Sequence, residues 1–389
     1  MMPAPSLPMA PGPAPARGLY VHIPFCLTRC DYCDFNAYAG MEELRNPYVE
    51  ALIREITSAA DGKEVSTIFF GGGTPTILSP HDLARVLTAI HDCFDVTTDA
   101  EITIEANPET VDECSLAALR AAGFNRLSVG VQSTAPHVLT RLGRIHSPQR
   151  ALETLRAAHR AGFTRINADL IYGTPGETES DWRRSLESII ETEVDHVSAY
   201  ALTIEEGTPL SSKINRGEEI SPEDDDQATK FETASTLLAS AGFTRYEISN
   251  WAKNNSWCRH NLTYWRGNDY LGFGAGAHTH HNGRRAHSVR SPRTYIEKSP
   301  SPEAGFEVLS SPERIEEAIM LGLRLAGGID RQLFKQRWGA DPLDGRQATA
   351  ERFQTLDLLD LSAQAMRLTD RGVFLTSAIT ANLLSEAAA

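Results

Sequence analysis

At 389 residues, with 41% hydrophobic and 23% charged side chains, the chain has the balance of a globular protein with one large domain and smaller additions. Its 51 acidic against 37 basic residues give a formal charge of -14, which argues against a nucleic-acid surface, because phosphate binding rests on clustered Lys and Arg. No apolar run is long enough to span a bilayer, and the scattered Cys93, Cys114 and Cys258 form no disulfide pattern, so the sequence reads as cytoplasmic and reducing.

Residues 1–17, dominated by Pro, Ala and Met, read as a flexible leader. A first strand is expected at LYVHI (19–23), followed by Cys26, Cys30 and Cys33 in the spacing C-x3-C-x2-C. Thiolates suit zinc or an iron-sulfur cluster, and three of them leave either one ligand short. A zinc ion completed by a distant His is the plain alternative. Further strands are expected at TIFF (67–70), EITIE (101–105) and HVSAYAL (196–202), and helix starts at Ser79-Pro80 and Ser147-Pro148, where a capping Ser precedes Pro. One phrase recurs as AAGFNRLSVG, RAGFTRINAD and SAGFTRYEIS, with Gly123, Gly162 and Gly242 spaced 39 and 80 residues apart. Each ends a helical pattern on Gly and leads into a strand.

Strands alternating with helices imply the α/β class and a parallel sheet, here a partial barrel of about six units over residues 18–250 with chemistry at the carboxyl ends of its strands. Residues 251–309 read as an aromatic and Gly-rich linker region containing HNLTYW (260–265). Residues 310–389 read as a small helical, winged-helix-like C-terminal domain, in which MRLTDRGVFLT (366–376) is expected to form two short strands joined by a turn.

The cysteine spacing after a strand, then FFGGGTP (69–75), Glu105, Gln132, Arg144 and Asp169 at or beyond later strand ends, resembles the radical S-adenosylmethionine (SAM) family from about residue 18 to 207. The resemblance implies a [4Fe-4S] cluster on Cys26, Cys30 and Cys33 with SAM over its open iron. Gly72, Gly73 and Thr74 would lie by the methionine amino group, Glu105 by the ribose hydroxyls, Arg144 by a carboxylate and Asp169 by a hydroxyl, with Tyr20, Tyr32 and Gln132 completing the SAM site. LYVHIPFC and DLIYGTPGET are similar to the branch that holds oxygen-independent coproporphyrinogen III oxidase and the HemW heme chaperones. The oxidase pattern has a fourth cysteine where this chain has Phe35, as the chaperone group does, and a longer N-terminal region over its substrate than the roughly seventeen residues expected here.

HNLTYW resembles the chaperone pattern H-N-x-x-Y-W, which implies heme binding with His260 as iron ligand and Tyr264 and Trp265 as flat faces. By its chemistry alone His260 fits a structural hydrogen-bonding role equally well. His278, His280, His281 and His287 are rival ligands, and Arg284 and Arg285 are candidates for the propionates. The implied function is a heme carrier serving client hemoproteins; oxidative decarboxylation of coproporphyrinogen III and a radical SAM reaction on an unrelated substrate are the alternatives. Radical catalysis, peripheral membrane association through a partner, and homodimerisation are all left open.

Overall fold

The computed structural model describes residues 17–386. Most of the expected leader therefore lies outside the described residues; Arg17, its last residue, is buried at the start of the first strand and is ion-paired with Asp61. The chain runs through β1 (Arg17–Ile23), α1 (Arg45–Ser58), β2 (Glu64–Gly72), α2 (Pro80–Cys93), β3 (Asp95–Ala106), α3 (Glu113–Ala122), β4 (Arg126–Gln132), α4 (Pro136–Arg141), α5 (Pro148–Arg160), β5 (Arg165–Tyr172), α6 (Glu179–Ile190) and β6 (His196–Ala201). β1 to β6 lie side by side in that order, each parallel to the next.

Period two along these strands separates two faces. Leu19, Ile68 and Ile102 form one paired row, and Val21, Phe70 and Ile104 belong to the same buried apolar layer as the helices' inner residues. The alternate positions, among them Tyr20, His22, Glu101, Glu105, Ser128, Asn167 and Asp169, face the other side, so the concave interior is polar. Helix α5 shows the matching 3.6-residue period, burying Ala151, Thr154, Leu155 and Ala158. Ser79 and Ser147 accept hydrogen bonds from the backbone N–H groups of Asp82 and Arg150, as their Pro neighbours predict.

The recurrent phrase has one geometry. Gly123, Gly162 and Gly242 have φ of 114°, 89° and 84°, and Phe124, Phe163 and Phe243 are buried behind them. Each Phe N–H donates to the carbonyl five residues earlier, at Leu119, Ala158 and Leu238. This is the Schellman closure, and the Phe anchors the incoming strand.

After β6 come α7 (Pro209–Asn215), α8 (Asp224–Ser240), β7 (Thr244–Arg245) and β8 (Asn250–Ala252), with β8 antiparallel to β6 and to β7. Next are α9 (Arg259–Trp265), β9 (Tyr270–Phe273), β10 (His278–His281), β11 (Arg284–Ser288), α10 (Pro292–Lys298) and β12 (Glu303–Val308). β9 pairs parallel to β1, and β10, β11 and β12 follow antiparallel, giving one twelve-stranded open sheet. The stretch 251–309 is thus sheet and plug, not linker. Its strands are short and carry His and Arg instead of apolar alternation, which hid them; Asn282-Gly283, with φ of 52° and 77°, is a two-residue hairpin turn that the sequence did display.

The C-terminal part contains α11 (Ser311–Gly322), β13 (Ile329–Asp330), α12 (Arg331–Trp338), α13 (Gln347–Thr355), β14 (Leu359–Leu361), β15 (Ala365–Leu368), α14 (Asp370–Val373) and α15 (Thr376–Glu386), with the antiparallel sheet order β13-β15-β14. Helices with a small wing are present, but the hairpin is β14–β15. The second half of the expected hairpin at 366–376 is instead helical, because the Thr369 hydroxyl accepts from the Gly372 N–H and starts α14. No helix among the described residues is long and apolar enough to cross a membrane.

Candidate functional site

The three cysteines occupy the loop that leaves the carboxyl end of β1, and two walls of the barrel hold it. On one side the Gly73 and Thr74 N–H groups donate to the carbonyls of Ile23 and Phe25 (both 2.8 Å), and the Thr74 hydroxyl donates to Cys26 Sγ at 3.6 Å. A Cβ on Gly73 would come within 2.7 Å of the Phe25 carbonyl and 3.1 Å of Cys26 Sγ, so only glycine admits this approach. On the other side Arg144, just past α4, donates to Cys30 Sγ at 3.5 Å and to the Gly130 carbonyl at 2.8 Å. Asp31 locks the loop from below, taking Leu142 and Leu210 as backbone partners and Lys213 as an ion pair at 2.6 Å. Tyr32 packs on the cluster of Val138, Leu142 and Leu210.

All three thiols are half-buried and free. Burial pushes the Cys26 thiol up and, with the neighbouring thiols, pushes Cys33 up to about 11, so cationic metal must displace their protons. No three His, Cys, Asp or Glu side chains among the described residues converge on a single metal position. A cubane takes its thiolates on three different irons and needs no such convergence.

Across the carboxyl ends the other expected residues line up by register. Tyr20 lies over Phe69 (ring centroids 6.2 Å), and Gly71 and Gly72 bring the β2 backbone against Glu105, whose Oε2 accepts from the Gly72 N–H at 3.2 Å. Burial, with the Asp169 carboxylate nearby, pushes the Glu105 carboxyl up to about 8. Beyond the Gly72 N–H it has no donor among the described residues, as a carboxylate awaiting hydroxyl partners would. Asp169 is turned toward Ser128 (2.9 Å) and Asn167 (2.8 Å), and burial raises it too. Gln132 sits buried at a bulge with φ 66°. Arg144 Nε is buried without a partner among the described residues, a donor suited to a carboxylate.

His22 and Asn36 belong to this assembly and escaped notice in the sequence. His22 Nε2 donates to the Asn36 carbonyl (2.9 Å), which leaves Nδ1 to accept from the Tyr20 hydroxyl (3.1 Å). The i, i+2 relation of Tyr20 and His22 on a strand was the available signal. The Asn36 side chain ties the cysteine loop to the carbonyls of Ala275 and Arg290. Phe35, 64% exposed, stands beside it.

The HNLTYW segment reaches the same interior from below, its His260 ring stacked on Phe69 (centroids 5.2 Å) and on Tyr20 (6.5 Å). It forms α9, which plugs the amino end of the barrel: the N–H groups of Arg259 and His260 donate to Glu101 (both 3.0 Å), which is also paired with Arg165 at 2.9 Å. His260 is 1% exposed, its Nδ1 bonded to the Thr67 hydroxyl (2.9 Å) and its Nε2 to the Tyr264 hydroxyl (2.8 Å). It packs against Gly18 and lies directly beneath the Tyr20–Phe69 pair. Both ring nitrogens are thus engaged by hydroxyls, and neither is open in this arrangement. Tyr264 packs edge-on to Tyr270, and Trp265 lies under the Arg324 guanidinium (4.9 Å) instead of lining an opening. Arg284 and Arg285 are ion-paired, with Glu303 and with Glu307 and Glu317.

The chain matches the Radical SAM superfamily over residues 20–189 and the HemN C-terminal domain over residues 309–375. It is 42% identical over 387 residues to the heme chaperone HemW of Mycobacterium tuberculosis, covering 97% of each chain. It is 33% identical over 378 residues to the heme chaperone HemW of Bacillus subtilis, covering 95% of this chain and 100% of that one. A zebrafish (Danio rerio) relative, radical S-adenosyl methionine domain-containing protein 1, mitochondrial, is 34% identical over 393 residues, covering 97% and 88%. Among solved structures, the radical SAM enzyme coproporphyrinogen III oxidase (HemN) from Escherichia coli superposes with a TM-score of 0.83 at 24% identity, covering 95% of this chain and 90% of that one.

Proposed function

Because the chain belongs to the HemW family of heme chaperones within the radical SAM superfamily, we propose that it carries heme as cargo for hemoproteins and binds a [4Fe-4S] cluster and SAM at the carboxyl end of its barrel. The observation that carries the cofactor reading is the bracing of one cysteine loop from two walls, Thr74 reaching Cys26 and Arg144 reaching Cys30. Cys26, Cys30 and Cys33 would hold the cluster, which supplies one-electron reducing power when bound. Gly72, Gly73 and Thr74 present backbone and hydroxyl groups at close range, Arg144 would offer its spare Nε to a carboxylate, and Glu105, bonded here by the Gly72 N–H, would accept from hydroxyls. Tyr20 and Tyr32 flank that space, Gln132 and Asp169 close its far side, and His22 orients Tyr20.

Anaerobic reconstitution tests this reading. Iron and sulfide near four each per chain, falling sharply in Cys30→Ala, with SAM binding lost alongside, is the expected result; full iron retention in that variant would refute the assignment. Hemin titration of the loaded protein should saturate near one per chain. The second reading, coproporphyrinogen III oxidase, draws on the shared fold alone. Product analysis separates the two: a decarboxylated porphyrin would establish the enzyme, and its absence alongside saturable heme binding would support the carrier.

A further inference from the structure

The β10–β11 hairpin carries two imidazoles that none of the geometry above employs. His278 and His287 are directly paired across the strands, their rings stacked at 5.6 Å with a 28° interplanar angle. Both are exposed, and no ring nitrogen of either has a hydrogen-bond partner among the described residues. Residues paired across neighbouring strands point to the same face. His280 is paired with Tyr270, and Tyr270 with Gly18, so His278, two residues from His280, shares the concave face with Tyr20 and His22.

The pair also stands close to the cysteine loop. The turn before His278 is fastened to that loop, since Asn36 donates to the Ala275 carbonyl at 2.9 Å and Gly276 packs against the Asn36 side chain. Two further groups gather there. Phe35 is an exposed apolar ring next to Asn36, and Arg290, whose carbonyl takes the second Asn36 bond at 3.0 Å, is exposed and has no ion-pair partner among the described residues. His287 lies across Gly305, where a Cβ would meet its ring at 3.0 Å, so the backbone of β12 backs the ring from behind.

An iron porphyrin needs a neutral imidazole with an open lone pair, an apolar face and a cation for its carboxylates. His260 offers no open nitrogen, whereas this corner supplies all three. We propose that the heme cargo takes its axial ligand from His278, with His287 as the positioning residue stacked against it, Phe35 against the porphyrin edge and Arg290 toward a propionate. The step is ligand exchange at iron: the imidazole lone pair displaces a bound water, with no change in oxidation state. The inference rests on the heme-carrier reading above and assigns its binding residue.

The test is an anaerobic hemin titration of the full-length, cluster-reconstituted protein, followed by Soret absorption and low-temperature EPR, in wild type, His278→Gly, His287→Ala and His260→Ala. His278→Gly should weaken binding roughly tenfold or more and lose the imidazole-ligated signature, and added imidazole should restore that signature. His287→Ala should bind more weakly with the signature kept. His260→Ala, checked for folding by circular dichroism and for its cluster absorbance, should keep the wild-type spectrum. A His278→Gly titration identical to wild type overturns the assignment, as does loss of the signature in folded His260→Ala. If wild type itself never saturates, the carrier reading fails and this inference falls with it.

Discussion

At the scale of single residues, the buried His260 and Glu105 hold the molecule's pH dependence in opposite senses. Burial, with Arg126 adding to it and Glu101 opposing, lowers the His260 pKa from 6.5 to about 4, so the folded ring stays neutral while the unfolded one protonates below 6.5. Stability from this residue is complete above that pH and is lost as pH falls toward 4. Replacing His260 with Phe should cost roughly 2–4 kcal/mol at pH 7.5 through the lost hydrogen bonds and packing, and the loss should shrink at pH 5, as urea denaturation at the two values would show. Glu105 runs the other way. Its carboxyl is raised from 4.5 to about 8, so the folded state holds a proton that the unfolded state has released, and stability declines as pH rises between those values. Glu105→Gln in SAM-free protein should therefore be stabilising by about 1–2 kcal/mol at pH 8 and near neutral at pH 4.5, with SAM affinity reduced; thermal melts and equilibrium dialysis measure the two effects.

Among the elements, the Gly-Phe joints and the Gly71–Thr74 loop place opposite demands on glycine. The joints need its left-handed backbone: at Gly242 nothing lies within 4 Å of a Cβ, so Gly242→Ala should cost about 1 kcal/mol from conformation alone. Gly73 needs its missing side chain instead, because Cys26 and the Phe25 carbonyl occupy that space. Gly73→Ala should leave circular dichroism unchanged while lowering the iron content after reconstitution, and an unaltered iron content would show that the loop yields. The joints and the cysteine spacing were legible because each is a local rule, a Gly where a helix must end or thiols at short intervals. The place of HNLTYW was not: His260 and Tyr264 stand four apart on a helix face, and only tertiary packing decides that this face seals the barrel against Thr67 and Glu101. The β9–β12 extension fell between these cases, with Asn282-Gly283 as a usable signal and strands too short and polar for periodicity to expose.

For the whole molecule, the barrel and the C-terminal helices are joined through the plug. Arg337 on α12 donates to the carbonyls of Arg266 and Gly267 (2.6 and 2.5 Å) and to the Asn268 side chain, while Arg324 covers Trp265 and the Ala326 N–H bonds the Tyr246 carbonyl at 3.0 Å. Arg337→Ala should raise hydrogen-deuterium exchange in α9 and α12 together, with β2 to β5 unchanged; exchange confined to α12 would mean that the plug is held from the barrel side alone. With α9 fixed at the amino end, the open face by the cysteine loop is the barrel's entrance and also its exit. If the chain carries heme as proposed, loading and unloading would share that doorway, so delivery would follow a take-turns kinetic scheme in which an excess of donor slows transfer to the acceptor instead of driving it.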